Sequence, residues 1–582
     1  MPYFSFLRLK ERQDYRMRYK DWEISGFDRG TAVDFCRKGV NPLTAVFLAS
    51  RGITDIGDAR MILGENPTGI YDPFLMADMD KAVSRVMSAV ENGERIAIYG
   101  DYDVDGMTSC ALLALWLKSK GAEFEIYIPC RLDEGYGLNK PALDILKSNG
   151  VGLVITVDCG ITAIDEAEYA GTLGLGLVIT DHHECRAVLP KADAIIDPKR
   201  NDCGYPNKAL AGVGVAFKLV CALENKTDSE ELFRRYGDLV AVGTIADVMP
   251  VGGENRELIR RGIVVLNEAP RPGFHSILLE AYPERSKVTT ATVGFTLAPR
   301  LNAAGRMGRP RLSVELLLTD DPLEAERLAV ELSKLNTERR SLEVEIYEKA
   351  AAMLPESGPD GPIILAQYGW YQGVTGIVAA KMAERHLIPA IIISIDDNGV
   401  GRGSCRSFGE FGIYGALRAC EDILSNYGGH DMAAGVTIAA ENIEEFRRRV
   451  IQYYNEKVKT IPSPALKLDF EVEKAELLSV QNVDALELLE PFGNGNPPPC
   501  LCIKEALISS IYSIGAGKHT RLRIEKSGRT LECIYFSVPS EDLGVSAGML
   551  VDIAFEPQIN DFRGRSNVQL HVYDIKVSEF RM

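Results

Sequence analysis

From Glu94 onward the chain alternates short apolar runs with longer mixed stretches. ERIAIYG runs into DYDVDG, and the helix-like MTSCALLALWLKSKG follows. EFEIYIP is the next apolar run, and GLVITVD, GLVITD and ADAIID end at Asp158, Asp181 and Asp197. A strand buried on both faces carries no polar alternation, so it reads as one continuous apolar run. Short strand, acidic end, then helix, repeated, predicts a doubly wound parallel sheet.

Farther along, residues 322–354 place Leu328, Leu332, Leu335, Leu342 and Ile346 at helical spacing among many charges. This predicts one long helix joining two lobes. A second, smaller α/β unit follows ESGPDGP, with PIILAQ and PAIIISI as strands and a helix beginning near Gly376. Beyond TIPSPAL and GNGNPPP the pattern changes to strands: TRLRIEK, LECIYF, MLVDIAF and VQLHVYDIKV, separated by turn residues. That length suits a small antiparallel barrel of the OB type. The expected organisation is a mainly helical region over 1–75, the parallel-sheet lobe over 76–320 and a connecting helix over 321–355. The smaller α/β lobe would then span 356–462 and the OB-like barrel 463–582.

Charge narrows the possible partners. The 582 residues include 65 Lys plus Arg and 82 Asp plus Glu, a net charge of −17, which excludes a general cationic coat for nucleic acid. Any nucleic-acid site must therefore be a local basic groove. The 12 Cys form no C-x-x-C pair, and Cys500 and Cys502 are too close in sequence for a zinc ribbon, so free thiols in a reducing cytoplasm are expected. MPYFSFLRLKERQDYR has no long apolar core, a poor secretory signal. No run approaches the length of a membrane span, so no membrane partner is expected.

The candidate chemistry sits at the strand ends. Asp101, Asp103 and Asp105 alternate directly after a predicted strand, and Asp158 and Asp181 end two others. Ligands of open α/β sheets bind beyond the carboxyl ends of strands, so these acids should converge on one rim. Close carboxylates remain ionised together only if hard cations neutralise them. Carboxylates plus His182 suit Mn2+ or Mg2+, two ions being expected. Asp247 lies in the apolar GDLVAVGTIADVMPV, where an ionised side chain needs a metal or a partner. Asp101, Asp197 and Asp238 read more readily as structural acids. A two-ion cluster of this kind makes phosphoester hydrolysis the natural reaction.

At this point the chain resembles the DHH phosphoesterase family, and within it the RecJ single-strand-specific DNA exonucleases. GDYDVDG, VDCG, TDHHE and GTIADVMP match the family's motifs in order. The resemblance implies that Asp103 and Asp105 each ligate one ion, Asp158 bridges them, His182 and Asp247 complete the ligand set of the second ion, and His183 serves the chemistry. One departure is Tyr99, which stands where the related family II pyrophosphatases carry a ligand His. It argues against pyrophosphatase and leaves one ion with fewer protein ligands.

PRLNAAGRMGRPR carries Arg300, Arg306, Arg309 and Arg311 with no acid between them, and Arg forks bind phosphate. The resemblance turns this segment, with Asn302, and the loop carrying Arg131 toward the substrate. GRGSCRSF and GGHDMAAG supply Ser404, Arg406 and His430 among glycines, and the second resembles the DHHA1 signature. The resemblance implies that this lobe faces the metals across a cleft, that a 5′-phosphate is held there, and that digestion runs 5′ to 3′. In the barrel, Arg521, Arg523, Tyr535, Phe536, Phe562, Arg563 and Arg565 interleave as in single-strand-binding OB-folds. GAGKHT lacks the first glycine and the Ser or Thr of a nucleotide-triphosphate loop, so no nucleotide triphosphate is expected there. The resemblance further implies single-stranded DNA as substrate, with single-strand-binding protein and a RecQ-type helicase as partners. Two readings stay open beside it. One is a DHH phosphodiesterase of short oligoribonucleotides, pAp or cyclic dinucleotides, which the C-terminal barrel disfavours. The other is a non-catalytic DNA-binding scaffold, which the intact ligand set disfavours.

Overall fold

The computed structural model describes residues 19, 21–65, 69–130, 134–135, 137–268, 270–281, 287–458, 465–562 and 565–578. The chain divides into two compact units. One comprises residues 69–461 with the short segment 493–496; the other combines the N-terminal segment before residue 69 with 462–492 and 497–582.

The smaller unit opens with β1 (Asp21–Ile24) and the helices Arg29–Arg37 and Pro42–Ser50. Asp28 and Asn41 cap those helices, accepting backbone N–H groups that would otherwise be orphaned. In the larger unit, β2 (Ile96–Gly100), β3 (Phe124–Tyr127), β4 (Leu153–Val157), β5 (Gly176–Thr180) and β6 (Ala194–Ile196) form a parallel sheet in the order β3-β2-β4-β5-β6. Every residue of β2 and β4 is buried. The continuous apolar runs arise because helices cover both faces. Helices Val104–Ser119, Gly212–Leu223 and Glu230–Ala246 pack on one side. Helices Lys140–Ser148 and Ile164–Thr172 pack on the other. This is the expected doubly wound lobe, and its strand ends deliver Asp101, Asp158, Asp181 and Asp197 to one rim.

The predicted connecting helix is observed as Pro322–Ala352, 31 residues capped by Asp321. At about 1.5 Å per residue it is about 46 Å long. Its first half buries Leu328, Leu332 and Leu335 in the core of the parallel-sheet lobe. Its second half buries Ile346, Tyr347 and Ala350 in the core of the second lobe, with Leu342 packed against that core. There, β7 (Ile363–Tyr368), β8 (Ala390–Ile395), β9 (Val400–Arg406), β10 (Leu424–His430) and β11 (Ala433–Ala439) run in the order β10-β11-β9-β8-β7. Only β7 and β8 pair in parallel. Helix Gln372–His386 packs on this sheet, through Val374, Val378, Ala379 and Met382.

The smaller unit continues with β12 (Ala465–Leu468), which pairs in parallel with β1. After β13 (Phe470–Glu471) come β14 (Leu501–Ile514), β15 (His519–Lys526), β16 (Arg529–Tyr535), β17 (Leu550–Phe562) and β18 (Arg565–Val577). Pairing of β14 with β17 closes these last five into a barrel. Thr520, Leu522 and Ile524 point inward on β15 while the residues between them face out, the period of two that the sequence shows. Phe35, Leu43, Phe47 and Leu48 of the N-terminal helices share one core with Leu489, Leu501 and Phe555. Among the described residues, no helix is long and apolar enough to cross a membrane.

Candidate metal centre

Each acid of the rim is placed by local backbone chemistry. Asp103 caps helix Val104–Ser119 and accepts the Gly106 N–H at 3.1 Å. Asp105 lies one turn in and is buried. Its two oxygens accept the Gly212 and Val213 N–H groups, at 2.6 and 2.8 Å, from the first turn of helix Gly212–Leu223. The positive end of that helix favours the carboxylate. Asp158 follows β4 with φ +60°, a left-handed conformation that costs a non-glycine residue energy and collects at functional sites. Asp247 terminates helix Glu230–Ala246.

These side chains meet around His182. Its Nε2 lies 3.1 Å from Asp158 Oδ1, 3.5 Å from Asp247 Oδ2 and 3.7 Å from Asp105 Oδ2. Yet neither His182 Nε2 nor Asp247 Oδ2 makes a hydrogen bond among the described residues, although both are buried. Asp105, His182 and Asp247 offer ligand atoms within 4.8 Å of one another, and so do Asp101, Asp103 and Asp158. Oxygens and one imidazole nitrogen aimed at a common point, with no hydrogen bond at its centre, fit divalent cations. Glycines leave room for this arrangement. A β-carbon on Gly212 would stand 2.7 Å from Asp158 Cβ, and one on Gly243 would stand 3.0 Å from Asp105 Oδ1.

Without a cation the cluster holds protons. Burial, with neighbouring acids, raises Asp158 well above the carboxylate range, Asp105 to about 7 and Asp247 to about 8. Burial, with the adjacent His183, lowers His182 to about 3, leaving it a neutral imidazole able to ligate. Carboxylates raised by folding stabilise the metal-free fold at low pH and lose that contribution as pH climbs through their folded values. The metal-free melting temperature should therefore fall between pH 7 and 8.5. Mn2+ should raise it more at pH 8.5 than at pH 6, because ligation must displace protons. Thermal melts with chelator or Mn2+ at both pH values check this; an equal Mn2+ effect at both would contradict it.

Comparison with known proteins identifies the family. Residues 95–244 match the DHH family N-terminal domain, 360–456 the DHHA1 domain and 468–574 the RecJ OB domain. The single-stranded-DNA-specific exonuclease RecJ of Bacillus subtilis (strain 168) is 38% identical, over 96% of this chain and 71% of its own length. The chain belongs to the RecJ family. RecJ of Escherichia coli (strain K12) is 33% identical over 92% of this chain and 96% of its own. The crystal structure of RecJ in complex with Mn2+ from Thermus thermophilus superposes with a TM-score of 0.81 at 28% identity, covering 96% of this chain and 80% of that one. The Mg2+ complex from the same organism gives a TM-score of 0.76 at 27% identity, covering 96% and 79%.

Within this RecJ-family chain the strand-end acids divide their work. The sequence placed Asp181 among the converging carboxylates. It stands on that rim, where its Oδ1 accepts the His182 N–H at 2.7 Å, the His183 N–H at 3.2 Å and lies 2.7 Å from His183 Nδ1, while Oδ2 accepts the Ile161 N–H at 2.9 Å. Asp181 is thus the brace of the histidine pair. Burial alone would lower the His183 pKa, but the hydrogen bond and charge of Asp181, with Asp247 and Asp103, outweigh it and raise it to about 9. Asp101, read as structural, joins Asp103 and Asp158, their ligand atoms lying within 4.8 Å of one another. Tyr99 donates to the Gly137 carbonyl at 2.9 Å. Asp238 is structural, paired with Arg271 at 2.6 Å. Asp197 accepts the Lys199 N–H at 2.7 Å.

The arginine segment folds as helix Ala298–Arg306 and a following turn. Arg300 is engaged within its lobe, with Thr296 O at 3.0 Å, Ser333 Oγ at 3.2 Å and Glu280 at 3.8 Å. Arg309 pairs with Glu331 at 2.6 Å. Asn302 is half-buried on the same helix. Arg306 ends the helix between the two lobes: its carbonyl accepts the Tyr371 hydroxyl at 3.2 Å, and its Nη1 donates to Gly373 O at 3.4 Å. Next to it, Gly305 packs on the backbone of Tyr102 in the first acidic loop.

In the second lobe the predicted residues gather at one end of the sheet. Arg406 pairs across Ala433 with His430 in register. Ser404 Oγ lies 3.1 Å from Thr375 Oγ1, and a β-carbon on Gly376 would lie 3.3 Å from Arg406 Nη2 and 3.4 Å from Ser404 Oγ. Ser404 and Arg406 therefore meet the first turns of helix Gln372–His386. Arg131 and Arg563 lie outside the described residues, as does the Phe562 side chain. On the barrel, Tyr535 is buried and donates to Tyr573 O at 3.2 Å. Phe536 is exposed, edge-on to His519 and His571 at 5.6 and 5.0 Å, and Arg523 lies over Tyr512 at 6.0 Å.

Proposed function

We propose that this chain hydrolyses single-stranded DNA from the 5′ end, using two divalent ions, Mn2+ or Mg2+, and releasing 5′-mononucleotides. The observation that carries the reading is the approach of Asp105, Asp158 and Asp247 to His182 Nε2 within 3.7 Å. Asp105, His182 and Asp247 would hold one ion and Asp103, with Asp101, the other; Asp158, beside both groups, would bridge them. When bound, such a pair lowers the pKa of a shared water and stabilises in-line displacement at phosphorus. His183, held by Asp181 at 2.7 Å, would in its protonated form offer its charge to the phosphoryl oxygens or its proton to the departing 3′-oxygen.

Ser404, Arg406 and the start of helix Gln372–His386 form a cradle suited to a terminal phosphate, since helix N-termini and Arg both favour anions. Arg406→Ala should lower the ratio of rates on 5′-phosphorylated and 5′-hydroxyl strands by about ten-fold, the scale of one lost charge-assisted hydrogen bond. An unchanged ratio would remove Arg406 from that role. Phe536, Tyr512 and Arg523 give the barrel the stacking and cationic groups that hold single strands. The resemblance supports action in the cytoplasm in DNA recombination and repair. The same resemblance makes single-strand-binding protein and a RecQ-type helicase its proposed partners. Digestion with Mn2+ of strands labelled at either end, with duplex and RNA controls, tests the whole reading. Early release of the 5′ label from single-stranded DNA alone is the expected result; early 3′ release or equal digestion of duplex would refute it.

A further inference from the structure

The ligand Asp247 is followed by an unusual backbone. Val248 has φ +58°, a conformation that a β-branched residue rarely adopts. Strain of this kind persists only where the surroundings enforce it. Here part of the enforcement comes from 246 residues away in sequence: Asn494 Nδ2 donates to Val248 O at 2.9 Å. The Val251 N–H donates in turn to Asn494 O at 2.7 Å. Asn494 thus grips both ends of the segment 248–251, one end through its side chain and the other through its backbone.

The turn carrying it is built for this. Gly493 and Asn496 exchange backbone hydrogen bonds at 2.8 and 3.1 Å, and Gly495 supplies φ +79° between them. A β-carbon on Gly493 would stand 2.7 Å from Val251 Cγ2, so only glycine lets the turn seat this closely. These four residues belong to the larger unit, although the chain on either side belongs to the other. From the opposite side, Asn255 Nδ2 donates to Pro250 O at 3.1 Å and Ala209 O at 2.6 Å. The segment after Asp247 is therefore held on two sides, in addition to the helix-end bonds from the Asp247 N–H to Gly243 O at 2.9 Å and from the Met249 N–H to Thr244 O at 3.2 Å.

We propose that Asn494, in the GNGN turn, is a positioning residue for the metal ligand Asp247: its amide locks the left-handed Val248 and thereby aims the Asp247 carboxylate at His182. This rests on the proposed function, in that Asp247 is taken as a ligand. The conformation at Val248 sets where the preceding carboxylate points, so losing the lock should cost metal affinity before it costs strand affinity.

The experiment measures Mn2+ affinity by electron paramagnetic resonance on the full chain, together with kcat and KM on a short single strand. Wild type is compared with Asn494→Ala, Asn494→Asp, which keeps the shape but loses the N–H donor, Asn494→Gln, which keeps the donor, and Asp247→Ala. Asn494→Ala and Asn494→Asp should weaken Mn2+ binding about ten-fold and lower kcat with KM little changed, the usual scale for a residue supporting a metal ligand. Asn494→Gln should recover part of the loss. If Asp247→Ala binds Mn2+ as wild type does, the ligand assignment fails and this inference with it. If Asp247→Ala loses affinity while folded Asn494→Ala and Asn494→Asp keep it, the site stands and the positioning role is overturned. Should either Asn494 variant not fold, Gly493→Ala, which pushes the turn off Val251, gives the same comparison.

Discussion

Asp158→Ala is expected to slow hydrolysis of single-stranded DNA by about 10³-fold or more, on the scale of removing a principal transition-state stabiliser. The loss should come without unfolding. Asp158 is buried beside other acids, and its ionised form is disfavoured there by desolvation and by their charge. Removing it takes a buried polar group that carries a desolvation cost out of the metal-free protein, so the melting temperature in chelator should hold or rise, while the stabilisation by Mn2+ should shrink. Rate assays and melts with and without Mn2+ separate the two effects. Wild-type-like hydrolysis would refute the bridging role. A collapse of the metal-free melting temperature would recast Asp158 as a structural acid.

The second large effect is expected at a residue with no side chain. Gly212→Ala would place a carbon 2.7 Å from Asp158 Cβ and 2.8 Å from Asp158 Oδ1. Relief requires the start of helix Gly212–Leu223 to withdraw, which lengthens the 2.6 Å hydrogen bond from Gly212 to Asp105 as well. One methyl group thus disturbs two ligands. Mn2+ affinity should fall by more than about ten-fold, and overpacking should cost about 1–3 kcal/mol of stability. Gly171→Ala is the control, because its β-carbon would meet nothing within 4 Å. Being helical, that site should gain about 0.5–1 kcal/mol and keep wild-type metal affinity. Equal Mn2+ affinity in both variants would show that the cluster does not depend on the Gly212 contact.

The parallel sheet and the long helix were legible because each rests on local periodicity that burial imposes directly. Strands β2, β4 and β5 read as continuous apolar runs since helices cover both faces, and the strand ends located Asp158 and His182 without any tertiary information. What the pattern could not convey was which atoms the acids would meet. Asp181 and Asp158 both follow strands, yet Asp181 is spent on backbone N–H groups and His183, a difference set by how the loop after β5 curls. The arginine segment looked uncompensated because no acid lies within it, but Glu280 and Glu331 approach Arg300 and Arg309 from elsewhere in the lobe. Gly212 was unmarked because a glycine required by close approach looks like any other glycine in a helical stretch. The N-terminal helices gave no hint that Phe35 and Phe47 share a core with barrel residues more than four hundred positions away, since amphipathic pattern marks a buried face and not its partner.

The most direct test is the anomalous difference map of crystals grown with Mn2+. Two peaks are expected about 4 Å apart, one among Asp105, His182 and Asp247, the other beside Asp101 and Asp103, with Asp158 between them. A map with no peak at His182, or with His182 still closed onto the three carboxylates, would contradict the account.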